Sequence, residues 1–250
     1  MIIAVVSPPG GGKTHWIHQQ IAQTNEPVGY FSPKTDSVPI DAIYLQSEYP
    51  QLKLYQTGEE AALNNTTTYI EIPWHLDLAG IEPILQTFNP HRVAIIPGDA
   101  DNTELNTWAD EVIQGNNITK PDAALQIHRG VLTGEILDFD SLTTFWLELT
   151  QGAYGEVVRV KGIFDLVDGQ ICYGDFIPGA SELDFKPLKL PRWLNGRPDR
   201  FSGFEIVGNN LDKGEIVLTV QDCCVPESAI HYYQQQVKES LEIEPEVEVV

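Results

Sequence analysis

Apolar and polar residues over the first 150 positions form short β-type runs that alternate with segments of helical spacing. After the opening run, for example, Trp16, Ile17 and Ile21 recur as on one face of a helix. Strands that alternate with helices are typical of crossover units on a mainly parallel sheet. The predicted strands are Ile2–Val6, Val28–Phe31, Thr68–Ile72, Arg92–Ile96 and Leu125–His128, and the predicted helices are Thr14–Gln23, Leu76–Phe88, Thr103–Ile113 and Ser141–Thr150.

From Gly155 onwards the residues alternate as in an antiparallel sheet. Val157–Ile163 alternates, and so does Phe164–Tyr173 across Asp168-Gly169, a dipeptide that favours a hairpin turn. Phe204–Val207 and Glu215–Val220 are predicted as two more strands, and Pro226–Val237 as a helix. We therefore expect an α/β domain with a mainly parallel sheet over 1–152, a small α+β domain over 153–238, and a solvated, disordered acidic tail over 239–250.

Charge and composition narrow the classes of partner. The chain has 36 acidic and 15 basic residues, for a net charge of −21. A negative charge of this size repels phosphate backbones and anionic lipids, so neither nucleic acid nor a membrane is an expected partner. No apolar run approaches the ~18 residues of a membrane span, and no basic residue precedes the first one as in a signal peptide. Three cysteines do not make a disulfide framework, so a cytoplasmic protein is expected.

One segment joins a strand, a glycine-rich loop and a helix start: Ser7-Pro8-Pro9-Gly10-Gly11-Gly12-Lys13-Thr14. This is the setting of a phosphate-binding P-loop, although Ser7 stands at the first glycine of the pattern. Glycines let several backbone N–H groups converge on a triphosphate at the positive end of a helix. Lys13 is then expected to neutralise the β and γ phosphates, and the Thr14 hydroxyl to hold Mg²⁺. The alternative is a glycine-rich turn whose lysine points to solvent.

A second segment bears on the choice of base. Asn117-Ile118-Thr119-Lys120-Pro121-Asp122 contains Thr-Lys-x-Asp, a variant of the guanine-reading Asn-Lys-x-Asp. The Asp122 carboxylate would accept hydrogen bonds from the guanine N1–H and 2-amino group, a pair that adenine does not offer. The alternative is a Pro-Asp surface turn. The candidate nucleotide-binding residues are therefore Gly10, Gly11, Gly12, Lys13, Thr14, His15, Lys120 and Asp122.

With these residues the chain resembles the CobW-like family of P-loop GTPases, in which a GTPase domain precedes a small C-terminal domain and many members handle zinc or cobalt. Val38-Pro39-Ile40-Asp41-Ala42 is similar to the family's switch I stretch, and Tyr69-Ile70-Glu71-Ile72-Pro73-Trp74 to its Walker B region. The resemblance implies that Asp41 and Glu71 lie with Thr14 near Mg²⁺, and that Lys13 and Glu71 serve catalysis. Trp74 stands where the family has a glycine whose amide senses the γ-phosphate.

The C-terminal half is similar to the family in two further strands. Glu156-Val157-Val158-Arg159-Val160-Lys161-Gly162 resembles its Arg-x-Lys-Gly strand, and Phe204-Glu205-Ile206-Val207-Gly208-Asn209-Asn210-Leu211-Asp212 its closing strand and turn. The family's Cys-x-Cys-Cys motif is missing, because Thr57-Gly58-Glu59-Glu60-Ala61-Ala62 takes its place and no cysteine precedes Cys172. Zinc-type ions favour soft thiolates, so the family's metal-transfer role has no site in this chain.

These observations predict a Mg²⁺-dependent GTP-binding protein with slow GTP hydrolysis, acting as a nucleotide-controlled switch or chaperone-like regulator. No residue stands out as a catalytic base. One alternative is a non-catalytic scaffold that presents its C-terminal domain to a protein partner. Another is a P-loop kinase, which is disfavoured because only Arg92 and Arg129 follow the P-loop in the first domain to supply a lid.

Four further features of the sequence are secondary candidates for a function. His15 and His18 share a helix face that could hold a metal, and His75 could place a water, but surface positions are the simpler expectation. Cys223 and Cys224, at the end of a predicted strand, would point to opposite faces and make a poor chelate. A run of cations could cover an acidic surface or bind an acidic partner: Lys186, Lys189, Arg192, Arg197 and Arg200.

Overall fold

Six strands form an all-parallel sheet in the N-terminal part of this computed structural model, which describes residues 1–33, 40–98, 103–116, 125–179 and 185–243. The strands are β1 (Ile2–Val6), β2 (Val28–Phe31), β3 (Lys53–Tyr55), β4 (Thr67–Glu71), β5 (His91–Pro97) and β6 (Glu111–Gly115), in the spatial order β3-β2-β4-β1-β5-β6. The accompanying helices are α1 (Lys13–Ala22), α2 (Ile40–Glu48), α3 (Leu78–Gln86) and α4 (Thr103–Trp108). The predicted parallel α/β architecture is thereby confirmed.

Strand β1 is apolar at every position because both faces of the sheet are covered. Ile2, Ala4 and Val6 belong to one buried cluster, while Ile3 and Val5 belong to another. Side chains alternate between the faces of a strand, so a strand covered on both sides shows a continuous apolar run. β1 therefore lies inside the sheet, between β4 and β5, with its carboxyl end leading into the P-loop.

The C-terminal part contains a five-stranded antiparallel sheet. Its strands are β7 (Gln126–Val131), β8 (Glu156–Asp165), β9 (Ile171–Phe176), β10 (Phe185–Pro187) and β11 (Gly203–Asn209), in the order β10-β9-β8-β11-β7. The helices are α5 (Phe139–Thr150), α6 (Lys213–Asp222) and α7 (Glu227–Ile243). Apolar residues of α5 and α6, such as Trp146 and Ile216, share one core with Phe164 and Phe204 of the sheet. The predicted α+β domain and its β8–β9 hairpin are present.

The division of the chain differs from the predicted boundary near residue 152. One compact unit comprises Met1–Asp122 with Ile177–Ser181, and the other comprises Ala123–Phe176 with Glu182–Val250. β7 and α5, which were predicted for the first domain, therefore belong to the second. The reason is non-local, because β7 pairs with β11, a strand much later in the chain.

Three element predictions were wrong. Glu215–Val220 is not a strand but part of α6, whose first turn is capped by the Asp212 side chain accepting from the Glu215 N–H. The predicted helix Thr103–Ile113 ends at Trp108, and the following residues form β6 against β5. α7 runs to Ile243, so the first residues of the predicted tail are helical.

None of the helices in the described part of the chain has the length and apolar character that crossing a bilayer requires.

Candidate phosphate and metal site

The P-loop turn depends on two glycines with left-handed backbone angles. Gly10 has φ 78° and Gly12 has φ 106°, values that cost a residue with a side chain considerable strain. Gly11 is required for another reason: there is no room for a side chain, because a Cβ there would lie 2.9 Å from the Ser7 Oγ. The three glycines that the sequence singled out are therefore needed to shape this loop.

The start of α1 offers backbone donors for an anion. Gly12 is the N-cap and carries no side-chain cap, and the first hydrogen bond of the helix runs from the Trp16 N–H to the Gly12 carbonyl. The N–H groups of Lys13, Thr14 and His15 precede that bond and so have no acceptor one turn back in the helix. With the positive end of the helix dipole behind them, these groups can bind phosphate oxygens.

Lys13 is buried inside the loop rather than extended into solvent. Its Nζ lies 3.4 Å from the Ser7 Oγ and 3.5 Å from the Ser7 carbonyl oxygen. The Ser7 hydroxyl in turn donates to the Pro8 carbonyl at 2.8 Å. Ser7 stands where the P-loop pattern has a glycine, and its oxygens lie next to the Lys13 amine inside the loop. The alternative of a lysine that points to solvent does not describe this side chain.

Glu71 lies beside the P-loop because β4 and β1 are neighbours in register. Val5 pairs with Glu71, and the Ile72 N–H donates to the Val5 carbonyl. The Glu71 side chain is only 6% exposed, and its Oε1 accepts a hydrogen bond of 3.3 Å from the Thr14 hydroxyl. The structure thus brings together Thr14 and Glu71, two residues that the sequence assigned to Mg²⁺.

These oxygens fit Mg²⁺ only in company with a nucleotide. Among the described residues no group of three or more His, Cys, Asp or Glu side chains is arranged to hold a metal ion. Mg²⁺ commonly takes one or two protein oxygens and completes its shell with phosphate oxygens and water. Because Glu71 accepts the single hydrogen of the Thr14 hydroxyl, lone pairs of that oxygen remain for a cation.

The remaining predicted site residues are Asp41 and the candidate base-reading pair, Lys120 and Asp122. Asp41 lies in the first turn of α2, between buried Ile40 and Ala42. Val38 and Pro39 of the same stretch fall outside the described residues, as do Lys120 and Asp122. The predicted roles of Lys120 and Asp122 therefore stay predictions.

Asn116 is a site residue that the sequence analysis missed. Its Nδ2 donates to the Gly10 carbonyl at 3.1 Å, and its backbone N–H donates to the Gly11 carbonyl at 3.2 Å. Gly115 must be a glycine here, since a Cβ would lie 2.3 Å from the Gly11 oxygen. No signal in the sequence pointed to this contact, because the preceding residues were predicted as a helix and the approach to the P-loop depends on the pairing of β6 with β5.

Replacing Asn116 with alanine is expected to weaken binding of a fluorescent GTP analogue about fivefold. The change removes one neutral hydrogen bond of about 1 kcal/mol that holds the Gly10 carbonyl, while the backbone bond to Gly11 remains. Asn106, an exposed residue of α4, supplies the matched control. Equal affinities of the Asn116→Ala and Asn106→Ala proteins would show that this contact does not shape the loop.

Within the described part of the chain, His15, His18 and His75 do not belong to a group that could hold a metal. His15 is exposed with its Nε2 2.9 Å from the Gln19 amide nitrogen, while His18 stacks on the ring of Tyr44. His75 is exposed beside Trp74, with ring centroids 5.7 Å apart. Surface and ring-packing positions, the simpler expectation, describe these side chains.

The cysteines are built into the C-terminal core. Burial raises the pKa of Cys172 to about 12 and the pKa of both Cys223 and Cys224 to about 11. The last two follow α6, not a strand, and each thiol donates to a carbonyl one turn earlier in the chain. All three thiols are therefore protonated at neutral pH, and poor as nucleophiles or metal ligands.

The three arginines of the cationic run 186–200 are each paired with an acidic residue. Arg192 pairs with Asp168, Arg197 with Glu135 and Glu227, and Arg200 with Asp165. These arginines join the loop to other parts of the C-terminal unit. The run therefore gives no support for an acidic partner.

A cavity of about 320 Å³ lies in the C-terminal unit and is lined by residues of that unit. Its walls are mostly apolar, with Phe139, Leu166 and Phe185 among them, and it contains no Lys or Arg. A phosphate group would lose its hydration there without gaining a cationic partner. This cavity therefore does not fit a phosphate group.

Comparison with known proteins gives a limited result. No family model and no curated protein matches this chain. Among solved structures it is similar to the Zn(II)-bound YjiA GTPase from E. coli, at 12% identity and a TM-score of 0.33, over 89% of this chain and 98% of that one. A Zn(II)-bound triple mutant of YjiA gives 12% identity, the same coverage and a TM-score of 0.34. Likeness at this level does not bear on function, which rests on the contacts described above.

Proposed function

We propose that this chain is a Mg²⁺-dependent GTP-binding protein that hydrolyses GTP slowly and acts as a nucleotide-controlled switch. The carrying observation is the contact between the Thr14 hydroxyl and the buried Glu71 carboxylate, directly beside a glycine-rich helix start that contains Lys13. Lys13 and the helix amides would bind the phosphates, and Thr14 and Glu71, with Asp41 as a third candidate, would hold Mg²⁺. When bound, the ion would neutralise charge on the β and γ phosphates.

The guanine preference is supported by the sequence alone, through Lys120 and Asp122. Asn116, which contacts the P-loop, directly precedes this segment. In the sequence, Lys120 follows Asn116 by four positions and Asp122 follows it by six, so both candidate base-reading residues are close along the chain to a residue that contacts the P-loop.

A metal-transfer role is not proposed, because the family's cysteine motif is missing from the sequence. The carboxylates that replace the family's cysteines are used locally, since Glu59 accepts from the Gln56 N–H and Glu60 from the Gly58 N–H. Both bonds close the turn that leads into a short 3₁₀ helix, Glu60–Asn65. The switch that we propose acts through nucleotide binding, with a protein partner at the C-terminal domain.

A non-catalytic nucleotide-binding scaffold is the second candidate, and Trp74 favours it. A tryptophan follows β4 where the resembling family has a glycine that senses the γ-phosphate, so the link between hydrolysis and switch movement is weakened. Measurable turnover of GTP by the purified protein would exclude the scaffold.

Titration of fluorescent GTP, GDP and ATP analogues, with Mg²⁺ and with EDTA, tests the proposed function. We expect Mg²⁺-dependent binding of the guanine nucleotides and at least about tenfold weaker binding of ATP, because a base-reading carboxylate that adenine leaves without a donor is costly. Asp122→Ala should remove this preference by weakening GTP while leaving ATP unchanged. Absence of binding by all three nucleotides at high micromolar protein would overturn the proposal.

A further inference from the structure

The carboxylate of Glu71 is held at both oxygens. Oε1 accepts from the Thr14 hydroxyl at 3.3 Å, and Oε2 accepts from the Tyr30 hydroxyl at 3.0 Å. The backbone carbonyl of Glu71 also accepts from the Ser32 hydroxyl at 3.0 Å. Two residues at the end of β2 therefore fix the residue that faces the P-loop.

Tyr30 occupies a position where an aliphatic residue would be ordinary. It lies in a central strand and is 3% exposed, packed in the same cluster as Ile3 and Val5. A buried phenol needs a hydrogen-bond partner, and the Tyr30 hydroxyl reaches from β2 to the carboxylate at the end of β4. Burying a hydroxyl and a carboxylate together is costly unless their bond is made, so this contact defines one orientation of the carboxylate.

We propose that Tyr30 is a positioning residue for the metal side of the site: its hydroxyl holds the Glu71 carboxylate so that Oε1 faces Thr14. The inference rests on the proposed function. With Oε2 bound to Tyr30, the carboxylate does not rotate about its axis, and Oε1 stays in place to accept the Thr14 hydrogen. The Thr14 oxygen then presents its lone pairs outward for Mg²⁺. Residues that hydrogen-bond to metal-site groups in this way typically change metal affinity 10–100-fold when mutated.

The same geometry limits what Glu71 does in hydrolysis. A general base must be free to accept a proton from the attacking water, in line with the γ-phosphate. The oxygens of Glu71 accept instead from Tyr30 and from Thr14, the residue expected at Mg²⁺. The contact with Tyr30 therefore fits a role of Glu71 at the metal site and not a role as general base toward the attacking water.

The test compares Tyr30→Phe with Tyr55→Phe in the full chain. Tyr55 is another buried tyrosine of the parallel-sheet unit, and its hydroxyl lies 3.4 Å from the Thr66 Oγ1, so the control also deletes one buried hydroxyl. Fluorescent GTP binding is measured in EDTA and then with increasing Mg²⁺, and thermal unfolding is followed for each variant. For Tyr30→Phe we expect about a tenfold rise in the half-saturating Mg²⁺ concentration, with Mg²⁺-free binding within about twofold of wild type.

A double-mutant cycle separates positioning from a general loss of packing. If Tyr30 acts through the carboxylate, Tyr30→Phe adds no further Mg²⁺ defect to Glu71→Gln. Additive defects, equal losses with and without Mg²⁺, or a Mg²⁺ response of Tyr30→Phe matching that of Tyr55→Phe would overturn this inference while the proposed function stands. Absence of Mg²⁺-dependent GTP binding by the wild-type protein would overturn both.

Discussion

Replacing Lys13 with alanine is expected to weaken GTP binding by about 100-fold or more. The ammonium group lies inside the loop against the Ser7 oxygens, and in the proposed function it neutralises the phosphate charge. Loss of one partner from a desolvated charge pair costs about 2–5 kcal/mol, and each 1.4 kcal/mol is a factor of ten in affinity. Titration with a fluorescent GTP analogue in the presence of Mg²⁺ measures the effect.

Lys53→Ala is the matched control, because it removes one positive charge from the same unit without touching the P-loop. Lys53 is exposed on β3, with its ammonium over the Tyr55 ring at 4.7 Å. We expect its affinity for GTP to stay within about twofold of wild type, since exposed charges are screened by salt. An equal loss of GTP affinity in both variants would mean that Lys13 acts only through the net charge of the protein.

Replacing Arg200 with alanine is expected to lower the free energy of unfolding of the C-terminal unit by about 3 kcal/mol. Arg200 donates to the Asp165 Oδ1, and also to the carbonyls of Pro191 and Gly169. Asp165 is 2% exposed, and its Oδ2 has no hydrogen-bond partner in the described structure. Without the guanidinium, a buried carboxylate would be left with no counter-charge. Urea denaturation followed by tryptophan fluorescence measures the loss.

The deficit of Arg200→Ala should shrink as the pH is lowered. Burial raises the pKa of Asp165, and Arg200 only partly opposes this rise. Without Arg200 the pKa rises further above the unfolded value, so protonation favours the folded state and the benefit is lost as pH increases through the folded pKa. The difference in unfolding free energy from wild type should therefore decrease from pH ~7 towards pH ~4.

Arg192→Ala provides the comparison within the same loop. Arg192 and Asp168 form an ion pair of 3.6 Å whose side chains are 38% and 39% exposed. Such pairs contribute about 0–1 kcal/mol, so this variant should be close to wild type at every pH. A similar loss for Arg192→Ala and Arg200→Ala would contradict the inference that the buried Asp165 carboxylate needs Arg200 as its counter-charge.

Local patterns accounted for much of the site. The P-loop was evident because strand, glycines, Lys13 and Thr14 are contiguous, and each requirement of the turn is met by neighbouring residues. Glu71 was identified through resemblance to a family motif; the structure shows its contact with the Thr14 hydroxyl, and its metal role stays a prediction. Tyr30 and Asn116 were not found, because their importance comes from contacts with residues 41 and 106 positions away.

The errors in the fold have a related origin. The segment around Ile216 fits a strand or a helix by its apolar spacing, and the cap at Asp212, three residues before Glu215, is the local signal that favours the helix. β7 was recognised as β-type, but no feature of its sequence shows that its partner is β11. Pairing between strands is decided by the burial of whole surfaces, which a short segment does not contain.

The sequence by itself determined the parallel α/β and antiparallel α+β architecture, the P-loop with its lysine and threonine, and the absence of the cysteine metal motif. The tertiary structure decided the membership of β7 and α5, the pairing of the loop arginines with acids, and the contacts of Tyr30 and Asn116 with the site. The physical reason is the separation along the chain of the residues that interact. Turns, caps and periodicity depend on residues a few positions apart. Buried hydrogen bonds and ion pairs instead join residues that only the packed sheets bring together.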